Sequence, residues 1–281
     1  MTPGALQAFP SEQLAAAFHR EGAAPLPSLA QLGFRKLAVQ AVPPRLPEAT
    51  LLRAYADTRN LPALAGTSRL GVHLRFGTVS IRALARIALA ESETFLKELA
   101  WREFFMQLLW HEPRLVSEAF RREYDSMEWR QDEEGLERWR TGTTGYPLVD
   151  AGMRELQATG FMHNRVRMLT ASFLVKHLLI DWRRGEAHFA EQLLDFELSS
   201  NNGNWQWAAG CGCDAAPYFR VFNPTLQAQR FDPDGIYIRK WLPEWGTSAY
   251  PAPVVDHKAA VTRCIAAYKA ALDKKPLRLF P

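Results

Sequence analysis

The strongest constraint on the fold is the spacing of apolar side chains, which recur every three to four residues along most of the chain. No stretch alternates β-branched and polar residues as a half-buried strand would. Residues that begin or end helices punctuate this pattern, for example Ser80, Ser92, Pro147 and Gly160. The sequence therefore predicts an all-α protein. The predicted helices cover residues 12–20, 81–90, 92–111, 148–159, 163–182, 186–198, 202–209, 226–231 and 256–274.

The first fifty residues differ in composition from the rest of the chain. Residues 21–50 contain five prolines, so we interpret residues 1–50 as an N-terminal helical and connector segment and residues 51–281 as the main helical domain. The glycine-punctuated stretch 60–77 is predicted to be a loop. The N-terminus lacks the features of a signal peptide, and no apolar run reaches the roughly 18 residues that a membrane helix needs. We therefore expect a cytoplasmic protein without a membrane segment.

The net charge indicates the kind of partner, and the cysteine content limits disulfides and metal sites. The chain has 34 Lys and Arg against 30 Asp and Glu, and this net charge of +4 suits an anionic partner. Its three cysteines, Cys211, Cys213 and Cys264, are too few for a disulfide framework. The closely spaced pair has no neighbouring histidine or second cysteine pair that would complete a metal site. We therefore expect packed thiols and no bound metal.

One loop has the composition of a phosphate-binding segment. The sequence GTSRLG, residues 66–71, combines two hydroxyl groups, an arginine and flexible backbone, which suit a pyrophosphate. A capped surface turn is the more ordinary explanation of the same residues. The chain has no GxGxxG after a strand and no GxxxxGK[ST]. Any nucleotide bound here is therefore held by neither the Rossmann nor the P-loop arrangement.

A polar helix face is predicted after His163. Asn164, Arg167 and Met168 fall on one side of that helix because side chains three and four residues apart are neighbours. Burying an arginine and an amide is unfavourable, so this face should meet solvent or a polar ligand. We expect Asp195 to pair with Arg167, since the helix before it leads into the asparagine-rich stretch. A solvated helix face with an incidental ion pair is the alternative.

Nine tryptophans are present, and two of them are only one residue apart. If the segment is helical, Trp205 and Trp207 project about 200° apart and serve opposite faces. Core packing is the usual role of a single tryptophan. Several here are flanked by charge, as in Asp181-Trp182-Arg183. That pattern favours stacking on nucleic-acid bases or transfer of electrons.

The chain resembles the flavin-binding helical domain of the DNA photolyase and cryptochrome family over about residues 51–256. The resemblance rests on motifs that occur in the family's order. They are ELAWREF (98–104), TGYPLVDAGMREL (144–156), TGFMHNRVRM (159–168), LLIDWRRGE (178–186), SNNGNWQWAAG (200–210) and DAAPYFRVFNP (214–224). It implies two packed helical clusters around a flavin pocket, with residues 51–281 forming a catalytic domain that binds FAD and DNA.

The resemblance implies FAD as the cofactor, in a bent conformation at the bottom of a pocket in a basic face. Arg167 and Asp195 match an ion pair against the isoalloxazine ring, in agreement with the pairing expected from their spacing. Asn201 matches the residue that faces flavin N5, and an amide there is typical of repair enzymes. The positions that match flavin contacts are Tyr55, Thr67, Ser68, Arg69, Leu70, Arg102, Asn164, Arg167, Asp195, Glu197 and Asn201.

The resemblance further implies light-driven repair, in which excited reduced FAD passes an electron to a flipped-out cyclobutane pyrimidine dimer. This is a carbon–carbon lyase activity. The positions that match the catalytic and lesion-binding residues are Glu98, Trp101, Asn164, Met168, Asn201 and Trp207. The positions that match the electron relay from the surface are Trp139, Trp182 and Trp205. The positions that match phosphate-binding residues beside the damage are Arg59, Arg165 and Arg220.

Several positions depart from the family pattern. Phe196 and Glu197 stand where members often have glycine and aspartate, Gly71 replaces a serine, and Phe161 replaces a tryptophan. The N-terminal α/β antenna domain of the family has no counterpart in these 281 residues. The chain therefore resembles a short cyclobutane-dimer photolyase without that domain, and the alternative is that it is a fragment of a longer member. Light capture then depends on the flavin itself unless a separate antenna partner supplies a chromophore.

We expect a monomer whose partner is ultraviolet-damaged DNA, either duplex or single-stranded. Repair of 6-4 photoproducts is one alternative, although enzymes of that type use a pair of histidines where this chain has His163 followed by asparagine. A cryptochrome-like blue-light photosensor without repair activity is a second. A flavin-free module whose aromatic side chains stack on single strands is a third.

Overall fold

Helices form all the regular structure in the computed structural model, which describes residues 11–17, 25–35, 43–215 and 217–273. No strand occurs in these ranges, so the predicted all-α class is confirmed. The α-helices are α1 Ala49–Thr58, α2 Gly71–Phe76, α3 Ile81–Glu91, α4 Glu93–His111, α5 Glu133–Arg140, α6 Pro147–Thr159, α7 Asn164–Ser172, α8 Trp182–Gln192, α9 Leu198–Ala209, α10 Pro224–Phe231, α11 Ile236–Trp241 and α12 His257–Asp273. Shorter 3₁₀ helices span Ser11–Ala17, Pro113–Val116 and Arg122–Ser126.

Local capping chemistry explains several helix ends. The Ser80 hydroxyl accepts a hydrogen bond from Ala83 N at 3.3 Å, and the Ser92 hydroxyl accepts one from Phe95 N at 3.4 Å. These bonds satisfy backbone donors that the first turn of a helix leaves free. Gly160 ends α6 with a φ of 67°, a conformation in which glycine is favoured. The starts of α3 and α4 and the end of α6 therefore agree with prediction.

The predicted continuous helix over 163–182 is wrong, because the chain forms three segments there. Helix α7 ends at Ser172, a π-helix spans Phe173–His177, and α8 begins only at Trp182. Leu179 has a φ of 55°, and Asp181 then caps α8 by accepting a hydrogen bond from Arg183 N at 3.0 Å. The π-helix is buried on all sides, so its apolar pattern does not reveal the change of geometry.

Other predicted boundaries need correction. The predicted helix over 186–198 corresponds to α8, which ends at Gln192, and the helix predicted from 202 begins at Leu198. The predicted loop over 60–77 contains the six-residue α2. Helices α1, α5 and α11 are additional to the prediction. The predicted helix over 12–20 is a 3₁₀ helix over Ser11–Ala17, and residues 18–20 and 274 lie outside the described residues.

The core consists of two clusters of buried apolar side chains. The smaller one joins α1, α3 and the start of α4, with Leu52, Leu84 and Leu99 at its centre. The larger one is built around α6, the π-helix, α8 and α9. Helix α4 approaches α9 so closely that a Cβ on Gly203 would overlap the Phe105 ring. The two clusters therefore meet along α4 and α9, as the two-cluster prediction requires.

Across the residues that the structure describes, no helix combines the length and the hydropathy required to cross a bilayer.

Candidate functional site

Two adjoining cavities lie where the two helical clusters meet. The first, called here the inner cavity, encloses about 590 Å³ of space and is lined by Arg167, Asp195, Asn201 and other residues of α7 and α9. The second, the outer cavity, encloses about 840 Å³ that is partly open to solvent. Residues that line both are Asn164, Met168, Ser200, Asn204 and Trp207. Volumes of roughly 300–1,000 Å³ are typical of cofactor and ligand sites.

The inner cavity has a charged wall built by Arg167 and Asp195. Arg167 Nη2 lies 2.9 Å from Asp195 Oδ2, and its Nε donates to the Met162 carbonyl at 2.6 Å. The expected ion pair is therefore present. Asp195 Oδ1 is buried and has no hydrogen-bond partner among the described residues. An unpaired buried carboxylate oxygen is unfavourable, so a ligand N–H or O–H donor would be stabilised here.

An amide on α9 is oriented by a carboxylate on α8. Asn201 Nδ2 donates to Glu186 Oε1 at 2.8 Å and to the Glu186 carbonyl at 3.1 Å. Burial raises the pKa of Glu186, and the hydrogen bond from Asn201 offsets part of that rise. Because Nδ2 is engaged, the Asn201 carbonyl oxygen remains the free end of the amide. It can accept a hydrogen bond from an N–H group in the inner cavity.

Glu197 has a clear structural role at the start of α9. Its carboxylate accepts hydrogen bonds from the backbone N–H groups of Ser199 and Ser200 and from both hydroxyls, at 2.6 to 3.0 Å. Burial alone would raise the pKa of Glu197, but these hydrogen bonds outweigh it and lower the pKa. Glu197 and Phe196 both line the inner cavity, and the Phe196 side chain does not fill it.

The outer cavity combines aromatic surfaces with an ion pair. Arg59 Nη1 lies 2.6 Å from Glu98 Oε1, so a residue expected to bind phosphate contacts one expected to bind the lesion. Trp101 is 43% exposed and Trp207 is half-buried, and both line the cavity. Flat aromatic faces of this kind can stack on bases. Arg102 also lines the cavity and donates to the Leu74 carbonyl at 3.1 Å.

Arg165 lies near Arg59, whereas neither Arg165 nor Arg220 lines the outer cavity. The Arg165 guanidinium donates to Asn60 Oδ1 at 2.6 Å and packs 4.4 Å from the centre of the Phe231 ring. Burial lowers the pKa of Arg165, and the neighbouring charges of Arg59 and Arg230 lower it further. Arg220 has an exposed side chain, and its carbonyl accepts a hydrogen bond from the buried Lys176 ammonium at 3.0 Å.

The loop over residues 66–71 contributes differently from the expectation for its side chains. Leu70 is buried in the smaller core, and the Ser68 hydroxyl accepts a hydrogen bond from Leu70 N at 3.4 Å. Thr67 and Arg69 line a third cavity. Tyr55 also belongs to the smaller core, where burial raises its pKa to about 12. None of these five residues therefore lines the inner cavity.

The three tryptophans that are expected to form the electron relay are all buried. The exposed fractions are 0% for Trp139 and 2% for both Trp182 and Trp205, so none of the three reaches solvent. Trp139 instead packs against Trp205, with ring centroids 6.1 Å apart, and against Phe189. Its sequence neighbours Arg138 and Arg140 are charged, but helix α5 turns the indole between them into the core. Trp129 is half-buried and was missed by the sequence analysis.

Two further residues, one in contact with a cavity residue and one lining both cavities, were missed by the sequence analysis. Glu186 holds Asn201, but it lies on another helix, so no local spacing connects the two. Asn204 lines both cavities, and its Nδ2 donates to the Ser200 carbonyl at 2.7 Å. Asn204 follows Asn201 by three residues, so the helical spacing could have placed both on one face.

The geometry defines a class of protein: an all-helical domain in which a cavity with a charged wall adjoins a second cavity lined by aromatic and arginine side chains. Residues 95–248, more than half of the chain, match the family described as the FAD binding domain of DNA photolyase. The chain belongs to this family.

Proteins that are similar in sequence or structure agree with this family assignment. The chain is 46% identical over 250 residues to the deoxyribodipyrimidine photo-lyase of Escherichia coli, which covers 79% of this chain and 53% of that protein. A class III photolyase from Agrobacterium tumefaciens superposes with a TM-score of 0.76 at 42% identity, over 80% of this chain and 53% of that chain. An archaeal photolyase from Sulfolobus tokodaii, solved with two FAD molecules, gives a TM-score of 0.72 at 41% identity, over 76% of this chain and 53% of that chain. The chain spans about half the length of these relatives.

Proposed function

We propose that this chain binds FAD and performs light-driven repair of cyclobutane pyrimidine dimers in DNA, as a deoxyribodipyrimidine photo-lyase. The observation that carries the proposal is the junction of the two cavities. Asn164, Met168 and Trp207 border both, so a group in the inner cavity and a base in the outer one would lie on either side of the same side chains. The names of relatives 41–46% identical to this chain support the same activity.

The residues of the inner cavity fit FAD. A flavin ring carries both N–H donors and carbonyl acceptors, which suit the unpaired Asp195 Oδ1, the free Asn201 carbonyl and the Arg167 guanidinium. When bound and reduced, FAD supplies the electron that splits the dimer after absorbing blue or near-ultraviolet light. The other residues that would hold it are Tyr55, Thr67, Ser68, Arg69, Leu70, Arg102, Asn164 and Glu197.

The outer cavity would receive the dimer. Trp101 and Trp207 supply stacking surfaces, while Glu98 and Met168 complete the wall. The damaged bases must leave the duplex to enter the outer cavity. Flipping a base out of a duplex costs a few kcal/mol, and this cost is smaller for a damaged base or a single strand than for an intact base pair. We propose that three arginines contact the flanking phosphates, so binding should weaken as salt rises. These arginines are Arg59, Arg165 and Arg220.

We also propose that indoles behind the inner cavity carry electrons to it. Trp205 lines that cavity and contacts Trp139, and Trp182 begins the helix whose Gly185 faces the Trp205 ring. Since these three indoles are buried, the surface end must be another residue. Half-buried Trp129 is our candidate, because the adjacent Arg130 N donates to the Leu179 carbonyl at 2.8 Å, three residues before Trp182.

The remaining proposals concern partners. We propose that the protein acts as a monomer on duplex or single-stranded DNA. We further propose that any antenna chromophore is supplied by a separate partner. Sedimentation of the protein with and without a dimer-containing oligonucleotide tests the first proposal, and a one-to-one complex of a single chain with DNA is expected.

The experiment that tests the function uses the reduced FAD-loaded protein under anaerobic conditions. An oligonucleotide with one cyclobutane dimer is illuminated with blue light, and the recovery of thymine ultraviolet absorbance is followed against a dark control. Recovery that requires both light and protein is expected. A second oligonucleotide carries a 6-4 photoproduct. Recovery with that substrate alone would instead support the 6-4 alternative.

Two outcomes would overturn the proposal. A flavin-containing protein that repairs neither substrate would support the photosensor alternative. A colourless protein that fails to take up FAD and still binds single strands would support the stacking module.

A further inference from the structure

A third cavity lies behind the loop over residues 66–71, on the side of α6 and α11. It encloses about 630 Å³, and its polar lining consists of Thr67, Arg69, Glu155, His163, Tyr237 and Lys240, with residues 62–65 completing the wall. None of these residues lines the inner or outer cavity. The cavity therefore needs an explanation of its own.

His163 lines this cavity and carries a buried donor without a partner among the described residues. Its Nδ1 accepts a hydrogen bond from Arg165 N at 3.2 Å, so the neutral ring must carry its proton on Nε2. Burial, followed by the charges of Arg167 and Arg165, lowers the pKa of His163 to about 4, so the ring is neutral near pH 7. The residue is 4% exposed, and Nε2 has no hydrogen-bond partner among the described residues. A buried N–H without an acceptor is unfavourable.

Two cationic side chains add to this donor. The Arg69 guanidinium packs 4.2 Å from the centre of the Phe161 ring, and its Nη2 lies 3.9 Å from Glu155 Oε1, too far for a hydrogen bond. Lys240 is exposed, with its ammonium 5.0 Å from the centre of the Trp241 ring. Both cations therefore keep donors available to a ligand.

Glu155 offsets only part of this positive charge. Its Oε2 already accepts hydrogen bonds from the Tyr237 hydroxyl at 2.6 Å and from His163 N at 3.2 Å. The cavity is thus lined by two positive charges, one negative charge and an unpaired neutral N–H. This arrangement favours an anion with several acceptor oxygens, because each oxygen can take a different donor.

We propose that this cavity binds a tetrahedral oxyanion, either inorganic phosphate or the phosphate group of a small phosphomonoester. The anion would connect the loop through Thr67 and Arg69 to α6 and α11 through His163 and Lys240. Arg69 has a φ of 53°, a backbone conformation that non-glycine residues seldom adopt, and an anion on its side chain would help to hold it. The bound anion would therefore stabilise the loop from the side opposite the inner cavity.

The test measures binding of inorganic phosphate, and separately of ribose 5-phosphate, to the FAD-loaded protein by calorimetry at constant ionic strength set with sodium chloride. Binding with a Kd below about 1 mM is expected. Lys240→Met removes one cation and should weaken binding about fivefold, while Glu155→Gln removes the competing charge and should tighten it about threefold. Lys258→Met, an exposed lysine on α12 outside the cavity, is the matched control and should bind like the unmodified protein.

The two anions distinguish the source of the ligand, since a site for free phosphate binds inorganic phosphate more tightly and a site for phosphomonoesters binds ribose 5-phosphate more tightly. Three results would overturn the proposal. One is absence of binding up to about 10 mM of either anion. Another is equal weakening by Lys240→Met and Lys258→Met. The third is binding only to the FAD-free protein with competition by FAD, which would make this cavity part of the cofactor site.

Discussion

Trp205 and Trp207 are two residues apart on α9, yet they occupy opposite environments. Trp205 is 2% exposed and packs edge-on against Phe189 and Trp139, with ring centroids 5.0 and 6.1 Å away. Trp207 is half-buried and borders both the inner and the outer cavity. A separation of about 200° around the helix accounts for the difference. Trp205 thus joins the core to the wall of the inner cavity, whereas Trp207 stands at the junction of the inner and outer cavities.

Two amide side chains of α9, Gln206 and Asn201, also differ according to the face of the helix on which they lie. Gln206, on the buried side, has its amide fully engaged: Nε2 donates to the carbonyls of Leu115 and Glu118, and Oε1 accepts a hydrogen bond from Phe120 N at 2.8 Å. Asn201, on the cavity side, has one amide end engaged and one free. A buried amide such as that of Gln206 takes its hydrogen-bond partners from the protein, whereas an amide in a binding site can take one from a ligand.

The largest expected effect is on the free energy of unfolding, which should distinguish Trp205 from Trp207. Trp205→Ala leaves a cavity in the core, so the free energy of unfolding should fall by about 3–5 kcal/mol. Trp207→Ala should lower it by less than about 2 kcal/mol, since that indole already borders open space. Urea unfolding followed by circular dichroism measures both. Equal losses would show that the two faces of α9 do not differ in packing.

The next effect concerns damaged DNA. Trp207→Ala should weaken binding of a dimer-containing oligonucleotide by about 1–3 kcal/mol, or roughly 5- to 150-fold, because a stacking surface is lost. Trp205→Phe keeps an aromatic core residue and should leave the affinity within about twofold. Fluorescence anisotropy in the dark at fixed salt measures both. Weakening by Trp205→Phe as large as by Trp207→Ala would contradict the division.

A third test addresses the buried indoles. Trp182→Phe should slow light-driven reduction of the bound flavin by about tenfold or more, since phenylalanine is a poor electron donor, and should leave DNA affinity unchanged. Trp110→Phe, at an indole that is 81% exposed and outside both cavities, is the matched control. Flavin absorbance under illumination measures the rate. Similar rates for both variants would remove Trp182 from the proposed relay.

The smallest expected effect lies at the start of α9. The pKa of Glu197 is lowered in the folded protein, so its carboxylate stabilises the fold above the ordinary glutamate pKa of about 4.3 and progressively less as the pH falls through the lowered value. Glu197→Gln should cost about 1 kcal/mol near neutral pH. The difference from the unmodified protein should shrink toward pH 3, as thermal unfolding at several pH values would show. A difference that does not change with pH would exclude the carboxylate charge as the cause.

Local sequence was sufficient for much of the fold. Ser80 and Ser92 cap α3 and α4 as expected, because a cap depends only on a side chain and the N–H groups two or three residues later. The Arg167–Asp195 pair could also be anticipated, from the periodicity of α7 and the direction of the chain after α8. The family motifs then supplied the expected roles, which local patterns alone could not.

Long-range contacts explain two features that the sequence did not reveal, namely the burial of Trp139 and the contact between Glu186 and Asn201. Trp139 is buried because α5 packs it against Trp205 and Phe189, 50 or more residues later in the chain, and charged neighbours in sequence do not report that contact. Glu186 reaches Asn201 only because α8 packs against α9.

By itself the sequence determined the helical class, several helix ends and the opposite faces of α9, since these depend on spacing and on contacts within a few residues. Only the tertiary structure decided which buried donors and acceptors remain unpaired, such as Asp195 Oδ1 and His163 Nε2, and where the three cavities lie. The physical reason is that an unpaired group and an empty volume are defined by everything that surrounds them, and the surrounding residues come from distant parts of the chain.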